Sequence, residues 1–110
     1  MLQQMSETNA GEPLHAVEPV PGLDELADAV LTLQTRDETK RFLRDLCTLA
    51  ELEALAHRWQ IVRLLDEKVP YLEIARRVRT STATVTRVAQ WLRHGAGGYP
   101  VALARSGGKH

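Results

Sequence analysis

Apolar residues recur at helical spacing along most of this chain, and the interruptions between those runs mark out the elements. After Pro21-Gly22, the residues Leu23, Leu26, Ala27, Val30 and Leu31 predict an amphipathic helix over roughly 23–34. Thr35 with Glu38 three residues on has capping-box spacing and opens a second helix ending near Cys47, with Phe42, Leu43 and Leu46 on its apolar face. Thr48 and Glu51 repeat that spacing and open the longest helix, about 49–67. Its stripe runs through Leu52, Leu55, Ala56, Trp59, Val62 and Leu65, widened by Leu49, Ile61 and Leu64. Pro70 biases Val69 away from helical geometry, so that helix must end before it. Two short amphipathic runs follow between Tyr71 and Arg93, separated by Arg79-Thr80-Ser81. Ile74, Ala75 and Val78 mark one face of the first; Val85, Val88, Ala89 and Leu92 mark the second, and Ser81 is placed to cap it. No segment shows the alternation of a strand. The expected class is all-α, a small domain of five to six helices.

The ends of the chain read differently. Residues 1–21 are polar, contain Pro13, Pro19 and Pro21, and predict a flexible arm. Gly95 to Gly98 reads as a glycine-rich hinge, and the pattern assigns no definite structure to the apolar tail from Tyr99 to Leu103. The expected organisation is therefore an arm over 1–21, a helical dimerisation region over 22–69, a helix-turn-helix over 70–94, and a hinge with tail over 95–110.

Charge singles out the helix-turn-helix. The chain is neutral overall, yet residues 70–110 carry seven bases against Glu73 alone, a net of +6, and residues 1–69 carry −6. A basic end bearing two short helices around a tight turn is the footprint of a surface that binds duplex DNA. The polar face of the second helix presents Thr82, Thr84, Thr86, Arg87 and Gln90, side chains suited to base edges and phosphates in a major groove. Thr82, Ala83 and Thr86 are expected to face bases. Arg76, Arg79 and Arg87, with Ser81 and the free amides of the helix start, are expected at phosphates, and Arg93 lies at the far end of the same series. A competing reading is a helix-turn-helix turned to protein contacts or an architectural role, without operator recognition.

Other classes find little support. The single cysteine, Cys47, allows no internal disulfide, no apolar run approaches the ~20 residues of a membrane span, and the N-terminus lacks the layout of a signal peptide. A soluble cytoplasmic protein is expected. His15, His57, His94 and His110 are scattered without ligand spacing, and no catalytic motif occurs, so neither a metal, a cofactor nor enzymatic activity is expected. The breadth of the apolar face on the 49–67 helix exceeds what so few short helices can cover. That excess predicts a homodimer, which would set two recognition helices about one DNA turn apart, ~34 Å.

These residues also carry a resemblance. Tyr71, Glu73, Ile74 and Ala75, then Ser81-Thr82-Ala83-Thr84-Val85, Arg87 and Val88, then Leu92, Gly95 and Gly97-Gly98-Tyr99 resemble the Trp repressor superfamily, in its Trp-repressor-related (YerC/YecD-type) branch. The upstream Thr48, Glu51, Glu53-Ala54-Leu55, Arg58 and Ile61-Val62 are similar to the same pattern, and the likeness extends over about residues 23–103. It implies an intertwined all-α dimer and a DNA-binding transcriptional regulator. It also implies a possible small-molecule effector pocket at Thr48, Arg58, Arg87, Val88 and Trp91. Val88 and Trp91 stand where the repressor has a glycine and a serine beside its bound amino acid, which argues against tryptophan as effector. Arg79 stands at the first position of the turn, where a small residue is usual.

Overall fold

The computed structural model describes residues 16–106, and six helices account for most of them: α1 Leu23–Leu31, α2 Arg36–Leu46, α3 Leu49–Asp66, α4 Tyr71–Val78, α5 Thr82–His94 and α6 Gly98–Arg105. No strand occurs among the described residues, and no helix there is long and apolar enough to cross a membrane. Most of the arm expected over 1–21, its first fifteen residues, lies outside the described residues.

Helix starts follow the local chemistry. The Thr35 hydroxyl accepts from the Glu38 N–H at 3.0 Å, while the Glu38 carboxylate reaches one residue further back than a standard capping box and accepts from the Gln34 N–H at 2.8 Å. At α3 the box is complete: the Thr48 N–H donates to Glu51 at 2.8 Å and the Glu51 N–H donates to the Thr48 hydroxyl at 3.1 Å. Ends are equally local. Lys68 takes the left-handed conformation, φ 66°, and the Lys68 and Val69 N–H groups donate to Leu65 and Leu64, so α3 is closed by a Schellman turn without glycine. α1 ends at Leu31, about three residues before the sequence pattern runs out, where the Thr32 hydroxyl donates to the Ala29 carbonyl at 2.6 Å.

The tail from Gly98 is a helix, contrary to the indefinite sequence pattern. Gly97 provides the left-handed entry, φ 94°, and Pro100 falls within the first turn, where its missing N–H costs no intrahelical bond. The glycine-rich link is correspondingly tight. Gly95 is buried, and a Cβ there would lie 2.4 Å from the Trp91 carbonyl oxygen and 2.6 Å from the Trp91 ring.

The chain divides into two compact units, one of Glu18–Arg58 and one built from Trp59 onward. The second unit holds the core. Ile61, Val62, Ile74, Ala75, Val78, Val85, Val88 and Leu103 are buried together, with Leu65, Val69, Leu92 and Tyr99 packed around them. Ile74 and Val85 are wholly enclosed, each worth roughly 1.5–3 kcal/mol in area removed from water. Trp59 and Tyr99 meet with ring centroids 6.4 Å apart, which links α3 to α6. In the first unit no residue is buried. Its amphipathic faces are only half-shielded at Leu26, Phe42, Leu43 and Leu52, and Leu31, Leu46, Leu49 and Leu55 are exposed.

Candidate nucleic-acid interface

The turn between α4 and α5 fixes the candidate site. Arg79 ends α4 in the left-handed conformation, φ 61° and ψ 57°, and the next N–H, of Thr80, donates back to the Ala75 carbonyl at 2.9 Å. A glycine would take this geometry freely; for arginine it costs about 1 kcal/mol. Ser81 then adopts the extended cap conformation, and its hydroxyl accepts from the Thr84 N–H at 3.0 Å. Val85, Val88 and Ala89 are buried, which rotates Thr82, Ala83, Thr86, Arg87 and Gln90 into solvent. Thr84 lies between the two faces, half-buried, and its hydroxyl is bonded to Ser81 at 3.1 Å and to the Arg87 guanidinium at 3.5 Å.

Electrostatics distinguish α5 from the helices before it. α1 to α4 each place an acid in the first turn, whereas α5 has none. The partial positive charge of its free amides is therefore not offset within the helix and favours an approaching anion. Among the described residues Arg79 and Arg87 have no carboxylate partner. Arg76 does: its Nε and Nη2 donate to the two oxygens of Glu73 at 3.0 and 2.5 Å. Arg77 Nε donates to the same carboxylate at 2.8 Å. The bonds from Arg76 and then Arg77 hold the Glu73 carboxyl down at about 2, and the same pairing raises the pKa of Arg76.

Two of these partnerships were absent from the sequence reading. Glu73 stands three and four residues before Arg76 and Arg77, a spacing that signals helical ion pairs, so that one was open to inspection. Arg93 Nη2 donates to the Tyr71 hydroxyl at 3.0 Å, joining α5 to the start of α4 across twenty-two positions with no local signal. Arg93 is thereby a brace between helices.

The residues of the expected effector pocket have separate employments. Thr48 caps α3, and Arg58 is exposed on that helix. Val88 belongs to the core, and Arg87 is exposed on α5. Trp91 is 49% exposed and borders an open cavity of about 350 Å³ with Ala96, Gly97, Gly98 and Tyr99.

Comparison with known proteins gives a consistent picture. Residues 21–107 match the family model described as Trp repressor protein. An uncharacterised protein, YerC, of Bacillus subtilis (strain 168) is 40% identical over 83 residues, which is 76% of this chain and 80% of that protein. The crystal structure of a TrpR-like protein from Eubacterium eligens superposes with a TM-score of 0.74 at 35% identity, covering 81% of this chain and 92% of the other. A candidate Trp repressor from Staphylococcus aureus superposes with a TM-score of 0.72 at 39% identity, over 77% of this chain and 85% of the other.

Proposed function

The chain belongs to the Trp repressor family, and we propose that it is a sequence-specific DNA-binding transcriptional regulator that reads a two-fold symmetric operator as a homodimer. The observation that supports this reading best is the presentation of α5. Its apolar side is locked in a core and its start is capped by Ser81, while Thr82, Ala83, Thr86 and Arg87 face solvent as one polar surface. A helix fixed in that way can enter a major groove without giving up any packing.

Thr82, Ala83 and Thr86 would contact base edges, through thymine methyl groups or bridging water. Arg79, Arg87 and the capped start of α5, with Arg76 beside them, would hold phosphates; Thr84 would orient Arg87. The dimer is supported by the Glu18–Arg58 unit, whose helices bury nothing within one chain. Pairing with a second copy would cover those apolar faces and space two reading helices by ~34 Å. Tryptophan is not the gate in this reading, because Val88 fills core volume where an indole would have to enter.

Selection of bound sequences from a random duplex pool tests the proposal, with a palindromic consensus as the expected result. Arg87→Ala should weaken every duplex by roughly three- to tenfold and lower the salt slope by about one unit. A folded protein that enriches no sequence and shows no salt-sensitive affinity would leave the protein-interaction reading in its place.

A further inference from the structure

Glu73 is the single acid between residues 70 and 110, and it does not lie apart from the arginines of that segment. Its two oxygens occupy the Nε–Nη2 fork of Arg76 in the parallel, two-bond arrangement by which an arginine grips an oxyanion. One of those oxygens also takes the Nε–H of Arg77. The carboxylate thus fills on Arg76 the place that a phosphate of the DNA backbone would need. The pair stays accessible: the Arg76 side chain is 71% exposed and that of Glu73 32%. An exchange of one anion for another therefore requires no unfolding.

Resting on the DNA-binding reading above, we infer that Glu73 is a specificity-determining residue, an internal competitor for backbone phosphates that keeps Arg76 and Arg77 from contributing fully to sequence-independent binding. Arg79 and Arg87, which have no such competitor among the described residues, supply the backbone grip of the resting protein. Backbone attraction is the same for every sequence, so restraining it widens the gap between the right site and all others. The low pKa of Glu73 means that the competitor remains charged at any physiological pH. The arginines are neutralised without being removed, and a duplex whose geometry brings a phosphate to Arg76 can still claim it.

The test is a salt series of fluorescence anisotropy on the full chain, with a labelled mixed-sequence duplex and with the duplex selected as above. Glu73→Gln should bind the mixed-sequence duplex roughly five- to tenfold more tightly near 0.1 M salt, with a salt slope steeper by about one unit. Its preference for the selected duplex should shrink. Arg76→Ala should weaken mixed-sequence binding several-fold more in the Glu73→Gln background than in the parent chain, a non-additivity expected of groups in one network. Glu73→Gln binding no tighter than the parent, with Arg76→Ala equally costly in both backgrounds, would overturn the inference. Should Glu73→Gln fold poorly, the parent chain still decides: Arg76→Ala must cost much less than Arg87→Ala, and equal losses would refute the competitor role. These failures leave the DNA-binding reading standing. A parent protein with no hold on either duplex overturns both.

Discussion

The Trp59-onward unit and the Glu18–Arg58 unit use similar numbers of residues and reach opposite outcomes. In the former, helices α4, α5 and α6 close over the end of α3 and exclude water from eight clustered apolar side chains. In the latter, α1, α2 and the first half of α3 are well-formed helices with no buried residue. The difference does not come from poorer helix sequences, since α2 and α3 have the better caps. It comes from the lack, among the described residues of that unit, of an opposing surface. Helix formation and core formation are separable, and most helical stability in proteins comes from the second.

The largest effect should come from the core that one chain completes by itself. Ile74→Ala should lower the unfolding free energy by about 2–5 kcal/mol in urea titration, and a loss below 1 kcal/mol would mean that the α4–α5 core is not the stabilising centre. The Glu18–Arg58 unit gives the counter-test. Leu55 is 43% exposed in the single chain, so for a monomer Leu55→Glu is a surface change within about 0.5 kcal/mol. For the proposed dimer the same change should shift the mass measured by light scattering toward 12.3 kDa at micromolar concentration. A parent protein already at that mass would remove the dimer from the proposal.

Smaller effects concern the turn. Arg79→Gly should relieve the left-handed backbone, yet the added freedom of the unfolded chain offsets most of that relief, leaving a gain of no more than about 0.5 kcal/mol, while weakening DNA through the lost cation. A variant that bound DNA as well as the parent would remove Arg79 from the phosphate contacts. The smallest is a matter of pH. Because the folded Glu73 carboxyl is depressed to about 2, its contribution is fully present above the ordinary carboxylate range and is lost as pH falls through about 2. A carbon NMR titration of Glu73 should show that low midpoint in the parent and a rise toward the ordinary range when Arg76 and Arg77 are both replaced by alanine.

Local chemistry explains which parts of the fold were legible from sequence. The bounds of α5 follow from Ser81 and the apolar spacing of Val85, Val88, Ala89 and Leu92. The end of α3 follows from Pro70. α6 escaped because glycine and proline normally interrupt helices, whereas here Gly97 and Pro100 stand at a helix entry, a role set by packing against α3 and α5. At the site, the polar face of α5 was legible from periodicity. The state of each arginine was not, because it depends on which acid or hydroxyl the fold brings near: Glu73 to Arg76, Tyr71 to Arg93, and none of the described acids to Arg79. Trp91 was the least readable residue, since its half-exposed position follows from the close corner at Gly95.

The reciprocal Thr48–Glu51 bonds, and the related set at Thr35, Glu38 and Gln34, have a bearing on assembly. A segment that buries no residue of its own nevertheless encodes where its rods begin, within five residues of chain. Two copies meeting in solution would thus bring pre-shaped pieces to the encounter rather than slack polymer. The ordering entropy surrendered at that moment is reduced, and mating becomes a matter of fitting surfaces together.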